Sequence, residues 1–478
     1  MSSRPLDGLW VMTSTYDVRL AVRDRRRLFA LGLLCMAFFV EVLSSTSVFT
    51  AAPSMAADLG LSPAGAQWTF TACTLPGGAL LLLGGRLADG FGARRVFVCG
   101  LALLVVASLV CGLAPTPAVL ISARVGQGVS AALLMPAALS LVVSTFDDES
   151  ERNKALAAWS AVGGMGATGG LLLGGVVTQA LGWPWVFLVN VPVGLVMLAL
   201  CPVLLVSARP VAGRVRLDVP GAMLVTVALG LIVYGTSRVP DDGWLRPGAS
   251  GCVVAGLVLL IVFVMVEART RMPLLPLRLF RSRSVVGGNL VLVAAGMSVD
   301  GLLFTMTNET QGTLGYSAWR FGLLTSVMTV SSVGAAYLAQ RGVALRGVRV
   351  VAAVGTTMLG LTCLTMAWST YVARPGWLLL LGMLLFGLGM GGAYVAGSIA
   401  SLADVGDADT GIAAGLQNVS FTIGTTLGVA LLSTVAATRA TTAQVAPMAG
   451  YRAAFVAGVA IALAGTAATR VLRRTRAR

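Results

Sequence analysis

Fourteen apolar stretches of about 20 residues, divided by short turns that carry Gly, Pro and Arg, leave this chain one medium in which to fold. As a helix, a run of that length crosses the ~30 Å hydrocarbon core of a bilayer. The runs lie near residues 28–50, 66–86, 95–113, 118–143, 155–181, 185–207, 219–237, 250–267, 285–309, 320–340, 349–370, 376–402, 411–437 and 451–470. Only 11% of the residues are charged, against about 25% in a soluble chain. Strands of about ten residues with alternating polarity, the mark of an outer-membrane barrel, are absent from the sequence. The fold expected is an all-α polytopic membrane protein.

The net charge of +15 resides in short arginine runs between the apolar stretches, so it reads as a topology signal rather than a nucleic-acid surface. An even number of spans puts both termini on one side. Placing the Arg-rich N-terminus in the cytoplasm puts most of the 34 basic residues there too. Trp68, Trp183, Trp185, Trp244, Trp319, Trp368 and Trp377 then fall at outer ends, where an amphipathic ring suits the headgroup level. Residues 1–27 contain six arginines and no apolar core, so no cleavable signal peptide is expected. With no histidine, and seven cysteines scattered without a C-x-x-C, no metal site is expected. The single lysine, Lys154, follows Asn153, so a phosphate-cradling G-x-x-x-x-G-K-[ST] loop is missing. That argues against an ATP-driven pump. The loops are too short for the folded signalling segments of a receptor, and without histidine the usual intramembrane enzyme sites are missing.

Two segments recur at nearly constant offset. Gly85-Arg86-Leu87-Ala88-Asp89-Gly90-Phe91-Gly92-Ala93-Arg94 has a worn counterpart in Gln340–Arg349, with Arg86, Gly92 and Arg94 matched by Arg341, Gly347 and Arg349, and Asp89 by Ala344. Gly170 and Gly174 are matched by Gly424 and Gly428. The organisation predicted is a cytoplasmic N-terminal segment (1–27), a six-helix bundle (28–207), two linker helices with flanking loops (208–284), a second six-helix bundle (285–470) and a basic tail (471–478). Duplicated bundles with a site near the midplane are the architecture of secondary transporters.

Charges inside spans are the most informative residues, because an ionised side chain at mid-bilayer costs about 2.5–3.5 kcal/mol on insertion scales. At the helical rise, Glu41, Arg124 and Asp300 all come to lie about 20 Å from the cytoplasmic face. Each sits on a polar stripe: Glu41 with Ser44, Ser45 and Val48; Arg124 with Gln127 and Gly128; Asp300 with Asn289, Gly296 and Thr307. Such faces are expected to line a wet cavity. A carboxyl there is a candidate proton carrier, charged when the cavity opens to water and neutral when it is occluded. The alternative is structural: Glu41–Arg124 as a fixed ion pair and Asp300 as a helix-packing hydrogen bond. Glu309, on the opposite face of its span, is expected at the outer interface as a solvated helix end or a pocket residue. The turn Gly85–Arg95 reads as a cytoplasmic latch, with Asp89 accepting from a helix N-terminus or pairing with Arg94 or Arg95. Gly166, Gly170, Gly174 and Gly175 permit close helix packing, or a hinge. Phe38, Phe304, Tyr394 and Asn418 are candidate pocket-lining residues, with ordinary packing as the alternative.

Several of these segments, in order, resemble the major facilitator superfamily. Gly85–Arg95 resembles its signature loop between helices 2 and 3, and Arg124-Val125-Gly126-Gln127-Gly128 its helix-4 motif, implicated in proton transfer. Gly166–Gly175 resembles the antiporter motif of helix 5. Trp183–Gly194, Pro276–Phe280 and the span count resemble the fourteen-helix drug:proton antiporter branch. The branch usually has an aspartate in helix 1 that aligns with Ser44, leaving Glu41, one turn earlier, to take over. Gly90 and Ala93 stand where basic residues are usual, Leu171 where the helix-5 proline is, and Cys73 where a helix-2 tyrosine is. The resemblance implies two pseudo-symmetric six-helix bundles plus two inserted helices, and alternating access that exchanges protons for a small amphipathic compound such as a drug or antibiotic. It also implies a monomer in the plasma membrane with no cofactor beyond the proton gradient. A same-fold transporter of one amino acid, sugar or lipid is the rival.

Overall fold

The computed structural model describes residues 7–146, 148–205, 219–242, 247–270, 277–372, 375–406, 410–442 and 447–472. Sixteen α-helices account for nearly all of them: α1 (Asp7–Leu59), α2 (Pro63–Ala79), α3 (Leu81–Phe91), α4 (Ala93–Gly112), α5 (Pro117–Thr145), α6 (Glu149–Leu181), α7 (Pro184–Leu188), α8 (Asn190–Leu204), α9 (Val219–Asp242), α10 (Pro247–Arg269), α11 (Arg283–Thr307), α12 (Ala318–Arg346), α13 (Val348–Ser369), α14 (Gly376–Leu402), α15 (Thr410–Thr442) and α16 (Pro447–Ala468). Thirteen helical stretches are long and apolar enough to cross a membrane, and the bent pair α2–α3 makes a fourteenth. Its 48° bend follows Pro76-Gly77-Gly78, where proline withholds a donor and crowds the preceding turn. Trp244, Pro276 and the tail beyond Leu472 lie outside the described residues.

Polar side chains start the helices where the sequence turns. Ser62, Thr116, Asp148, Ser282 and Ser317 each accept from a backbone N–H of the first turn, and Pro63 and Pro117 occupy first positions that need no donor. Trp68, Trp183, Trp185, Trp319, Trp368 and Trp377 all fall at helix ends opposite the one where the chain begins.

The internal repeat is visible in the backbone. Gly92 ends α3 and begins α4 with φ 93°, its N–H donating to Ala88 O; Gly347 joins α12 to α13 with φ 84°, its N–H donating to Val343 O. A side chain disfavours such a left-handed turn, so both copies keep glycine. The glycine echo is equally concrete. Gly170 and Gly174 of α6 lie against Leu43, Thr46, Ser47 and Thr50 of α1, as Gly424 and Gly428 of α15 lie against Val293 and Met297 of α11. The halves meet along two seams, α6 on α12 and α2 on α15. The α9–α10 hairpin leans on the second, where Trp68 Nε1 donates to Ser237 Oγ (3.3 Å) and Thr434 Oγ1 to Thr236 O (3.0 Å).

The buried core is distributed unevenly along the bundle. At the end opposite the termini one continuous cluster joins Phe49, Met55, Phe70, Leu171 and Phe187 to Phe304, Met306, Phe321 and Leu324, across both halves. Towards the termini the core divides into one cluster around Leu34, Phe97 and Leu134 in the first half and smaller ones around Val291, Ala352 and Leu416 in the second. The far cluster spans both halves, whereas among the described residues each cluster nearer the termini lies within one half.

Candidate functional site

Arg124 is 1% exposed in the middle of the first bundle, and it is the largest fully buried side chain described. Its Nε donates to Thr69 O of α2 (2.7 Å), its Nη1 to Gln127 Oε1 on its own helix (2.6 Å), and its guanidinium lies 5.8 Å from the centre of the Phe187 ring. From Gln127 the network continues: Nε2 donates to Ser108 Oγ (3.0 Å), and Asn190 Nδ2 donates to Ser44 Oγ (3.0 Å) and reaches Ser108 Oγ (3.5 Å). Five helices of one half, α1, α2, α4, α5 and α8, are thus tied together through one cation.

Glu41 of α1 lies within electrostatic reach of that cation, yet no carboxylate comes within 4.0 Å of Arg124 among the described residues. The Glu41 Oε2 atom is buried and has no hydrogen-bond partner there. Two of the five Arg124 N–H donors go to a carbonyl and an amide and none goes to Glu41 among the described residues, so Glu41–Arg124 is not the fixed ion pair that the sequence allowed. A buried carboxyl with an unmet oxygen is costly when ionised and tolerable when protonated.

Asp300 stands on α11, in the other half, facing Thr425 of α15 within hydrogen-bonding reach. It is half-buried, between the buried Val299 and Gly301. The stripes around the three charges differ from expectation: Ser44, Val48, Gln127, Gly128, Asn289, Gly296 and Thr307 are buried rather than wet. The physical reason is that α1 and α11 lie inside their bundles, gripped by glycine-rich α6 and α15. Thr46, Ser47 and Thr50 turn their hydroxyls to carbonyls of their own helix, which lets polar faces pack dry.

A second polar patch, of which the sequence singled out only Tyr394 and Asn418, lies in the C-terminal half. Gln417 Nε2 of α15 donates to Ser398 Oγ of α14 (2.8 Å), Ser401 Oγ donates to Gln417 Oε1 (3.2 Å), and the Tyr394 hydroxyl lies close to both Gln417 and Ser398. Tyr394 packs edge-on to Phe421 at 5.1 Å and is half-buried; Asn418, on α15, is exposed. Phe38 stacks on Trp159 of α6 (4.4 Å between centroids), and Phe304 is locked edge-on to Phe70 (5.1 Å) within the far cluster. These two pack helices together and do not line an open pocket in this conformation.

Glu309 is the largest departure. It is not a solvated helix end: it is fully buried in a π-helical turn, Asn308–Thr313, that continues α11. The apolar run read from sequence stops there because the turn is polar, whereas the fold encloses it.

In the turn near the termini, Gly85 faces Pro136 at ordinary contact distance, while neighbouring Gly84 is pressed on Ala132 O, where a Cβ would come within 1.9 Å. Asp89 and Arg95 are exposed. The cation acting on Asp89 is Arg86, and Arg94 reaches Pro202 O of α8 instead (3.4 Å), so the expected pairing of Asp89 with Arg94 or Arg95 is not made among the described residues. Of the helix-5 glycines, Gly166, Gly170 and Gly174 seat α6 on α1, and Gly175 meets Ala318 O of α12 across the seam between halves.

These features coincide with similarity to known proteins. The chain is 39% identical to the cephamycin export protein of Amycolatopsis lactamdurans over 448 residues, covering 90% of this chain and 89% of that one. It is 38% identical to the puromycin resistance protein of Streptomyces alboniger, covering 91% and 86% respectively. Its fold matches the crystal structure of a peptide transporter, POT, in complex with sulfate, at TM-score 0.69 and 17% identity over 93% of this chain and 95% of that chain. The sequence model of the Major Facilitator Superfamily matches residues 34–429. With two repeated six-helix halves, a charged interior and this match over most of its length, the chain belongs to the major facilitator superfamily and is a membrane transporter, not an enzyme.

Proposed function

We propose that this protein exports a small amphipathic compound, of the antibiotic or drug class, in exchange for protons, by alternating access in the plasma membrane. The observation that carries the reading is Glu41: a buried carboxyl with an unpartnered oxygen, beside Arg124 but not in an ion pair with it, so that its protonation can change without breaking one. Asp300 is the corresponding acid in the second half, on the helix that the internal repeat matches to α1. The names of the two relatives, one an exporter and one a resistance protein, support export as the direction. Both termini are taken to be cytoplasmic, on the positive-inside argument.

In this cycle the conformation described is closed to the outside and parted towards the cytoplasm. Substrate enters between the halves near Tyr394 and Asn418, as Glu41 and Asp300 release their protons to the cytoplasmic side. Opening the other end wets the interior, exchanges substrate for protons and resets the bundle. Asp89, Arg94 and Arg95 contribute a cytoplasmic latch only when that end is shut, which accounts for their separation here. The experiment is a susceptibility panel of antibiotics and dyes in an efflux-deficient host, with and without a protonophore, joined to export from inverted vesicles under an imposed pH gradient. Protection that survives collapse of the gradient overturns proton coupling; accumulation instead of expulsion overturns export.

A further inference from the structure

Glu309 takes no part in the cycle described so far. Its π-helical turn, Asn308–Thr313, packs against α12 and α16 of its own half and against α1 of the other, so it sits where the far end would part. The Oε2 atom of Glu309 is buried and without a partner among the described residues. The other oxygen, Oε1, lies 3.3 Å from Ser369 Oγ at the end of α13. That hydroxyl has one hydrogen, and Met366 O accepts it at 2.7 Å. Neighbouring hydroxyls are committed in the same way, Thr310 to Met306 O (2.6 Å) and Thr370 to Ala367 O (2.8 Å). Arg452 of α16 donates to Thr370 Oγ1 (3.0 Å) and lies over the Tyr371 ring (3.6 Å). An ionised Glu309 would therefore keep a buried oxygen, Oε2, that no donor meets among the described residues. A protonated Glu309 supplies the hydrogen that its contact with Ser369 lacks.

We propose that Glu309 is a proton-binding gate residue: its carboxylic acid form seals the end of the bundle opposite the termini, and its ionised form holds that end open. When the turn parts from α1, water reaches the carboxyl, which gives its proton to that water. To close again, the carboxyl must take a proton back from the medium on the same side. Proton binding from outside is thereby tied to resetting the transporter. The direction of that coupling rests on the export reading above; the gate itself does not.

The other ionisable groups at this end are few. Tyr451 of α16 lies close to Thr313 and within electrostatic reach of Glu309. Tyr316 and Arg320, at the start of α12, are half-buried and exposed respectively, and Tyr371 is exposed beneath Arg452. On α1, Asp58 accepts from Trp183 Nε1 at 2.8 Å. Asp58 is the other carboxyl named at this end, and it serves as the control.

The test is a distance measurement between spin labels at Leu113→Cys and Trp377→Cys, one on each half, in a cysteine-depleted chain in nanodiscs across pH 5 to 8. The open-to-closed ratio should rise with pH by up to about tenfold per unit, the limit for one linked proton. Glu309→Gln should remain closed at every pH, Glu309→Asp should keep the slope, and Asp58→Asn should leave it unchanged. A wild-type slope in Glu309→Gln overturns the assignment, as does a slope lost in Asp58→Asn. A flat wild-type profile also overturns it. Because no substrate or gradient is present, an error about export or its energy source leaves this result unaffected.

Discussion

Gly170→Ala isolates how much of the α1–α6 contact depends on the absence of a single methyl group. A Cβ at Gly170 would lie 1.9 Å from Thr46 Oγ1, 2.7 Å from Leu43 O and 3.1 Å from Leu43 Cα. Thr46 could rotate away only by giving up its bond to Val42 O (2.9 Å), and the Leu43 backbone cannot rotate at all. The two helices must therefore separate by roughly 1 Å, an overpacking that typically costs about 1–3 kcal/mol. Alanine recovers up to about 1 kcal/mol of helix propensity, leaving a net loss of roughly 0–3 kcal/mol and an apparent melting temperature lower by a few °C. At Gly164, on the same helix, an added Cβ would meet nothing within 4 Å, so Gly164→Ala has the propensity gain without the clash. The assay is a fluorescence melt of both variants in one detergent, followed by vesicle transport. Because α1 carries Glu41, Gly170→Ala should also slow turnover. If Gly170→Ala melts at or above Gly164→Ala, the close approach is not what seats α1.

Three further substitutions probe the charged interior. Glu41→Gln should abolish gradient-driven export in vesicles while the melt stays within a few °C of wild type; unchanged export removes Glu41 from the cycle. Asp300→Asn should lower the protons moved per substrate, read as smaller substrate-induced alkalinisation, and wild-type coupling with every compound would contradict its role. Arg124→Lys keeps the charge but loses the planar fork that reaches Thr69 O and Gln127 together. It should slow transport at least tenfold, and full activity would show that charge alone suffices.

The bilayer made most of the architecture legible along the chain. A backbone with no water to satisfy it must form helices, so apolar length alone yielded the spans. The internal repeat was legible because Gly92 and Gly347 answer to a local backbone requirement that no neighbour can change. Glu41, Arg124 and Asp300 announced themselves through the cost of charge in lipid. The polar residues that complete the Arg124 network, Asn190 and Ser108, and Gln417 in the other half gave no such warning, since an uncharged amide or hydroxyl in a span is unremarkable until its partner is known.

What the sequence determined by itself was the medium, the number of crossings, the twofold organisation and which charges had to be sheltered. What only the tertiary structure decided was how those charges are sheltered. Whether Arg124 commits its donors to Glu41 or to a carbonyl and an amide depends on where α2 and α5 cross. Whether Glu309 meets water depends on α12, α13 and α16 closing over a turn that looks like a helix end. Span, repeat and depth follow from periodicities along one chain, whereas protonation and gating follow from which side chains distant in sequence come within hydrogen-bonding distance.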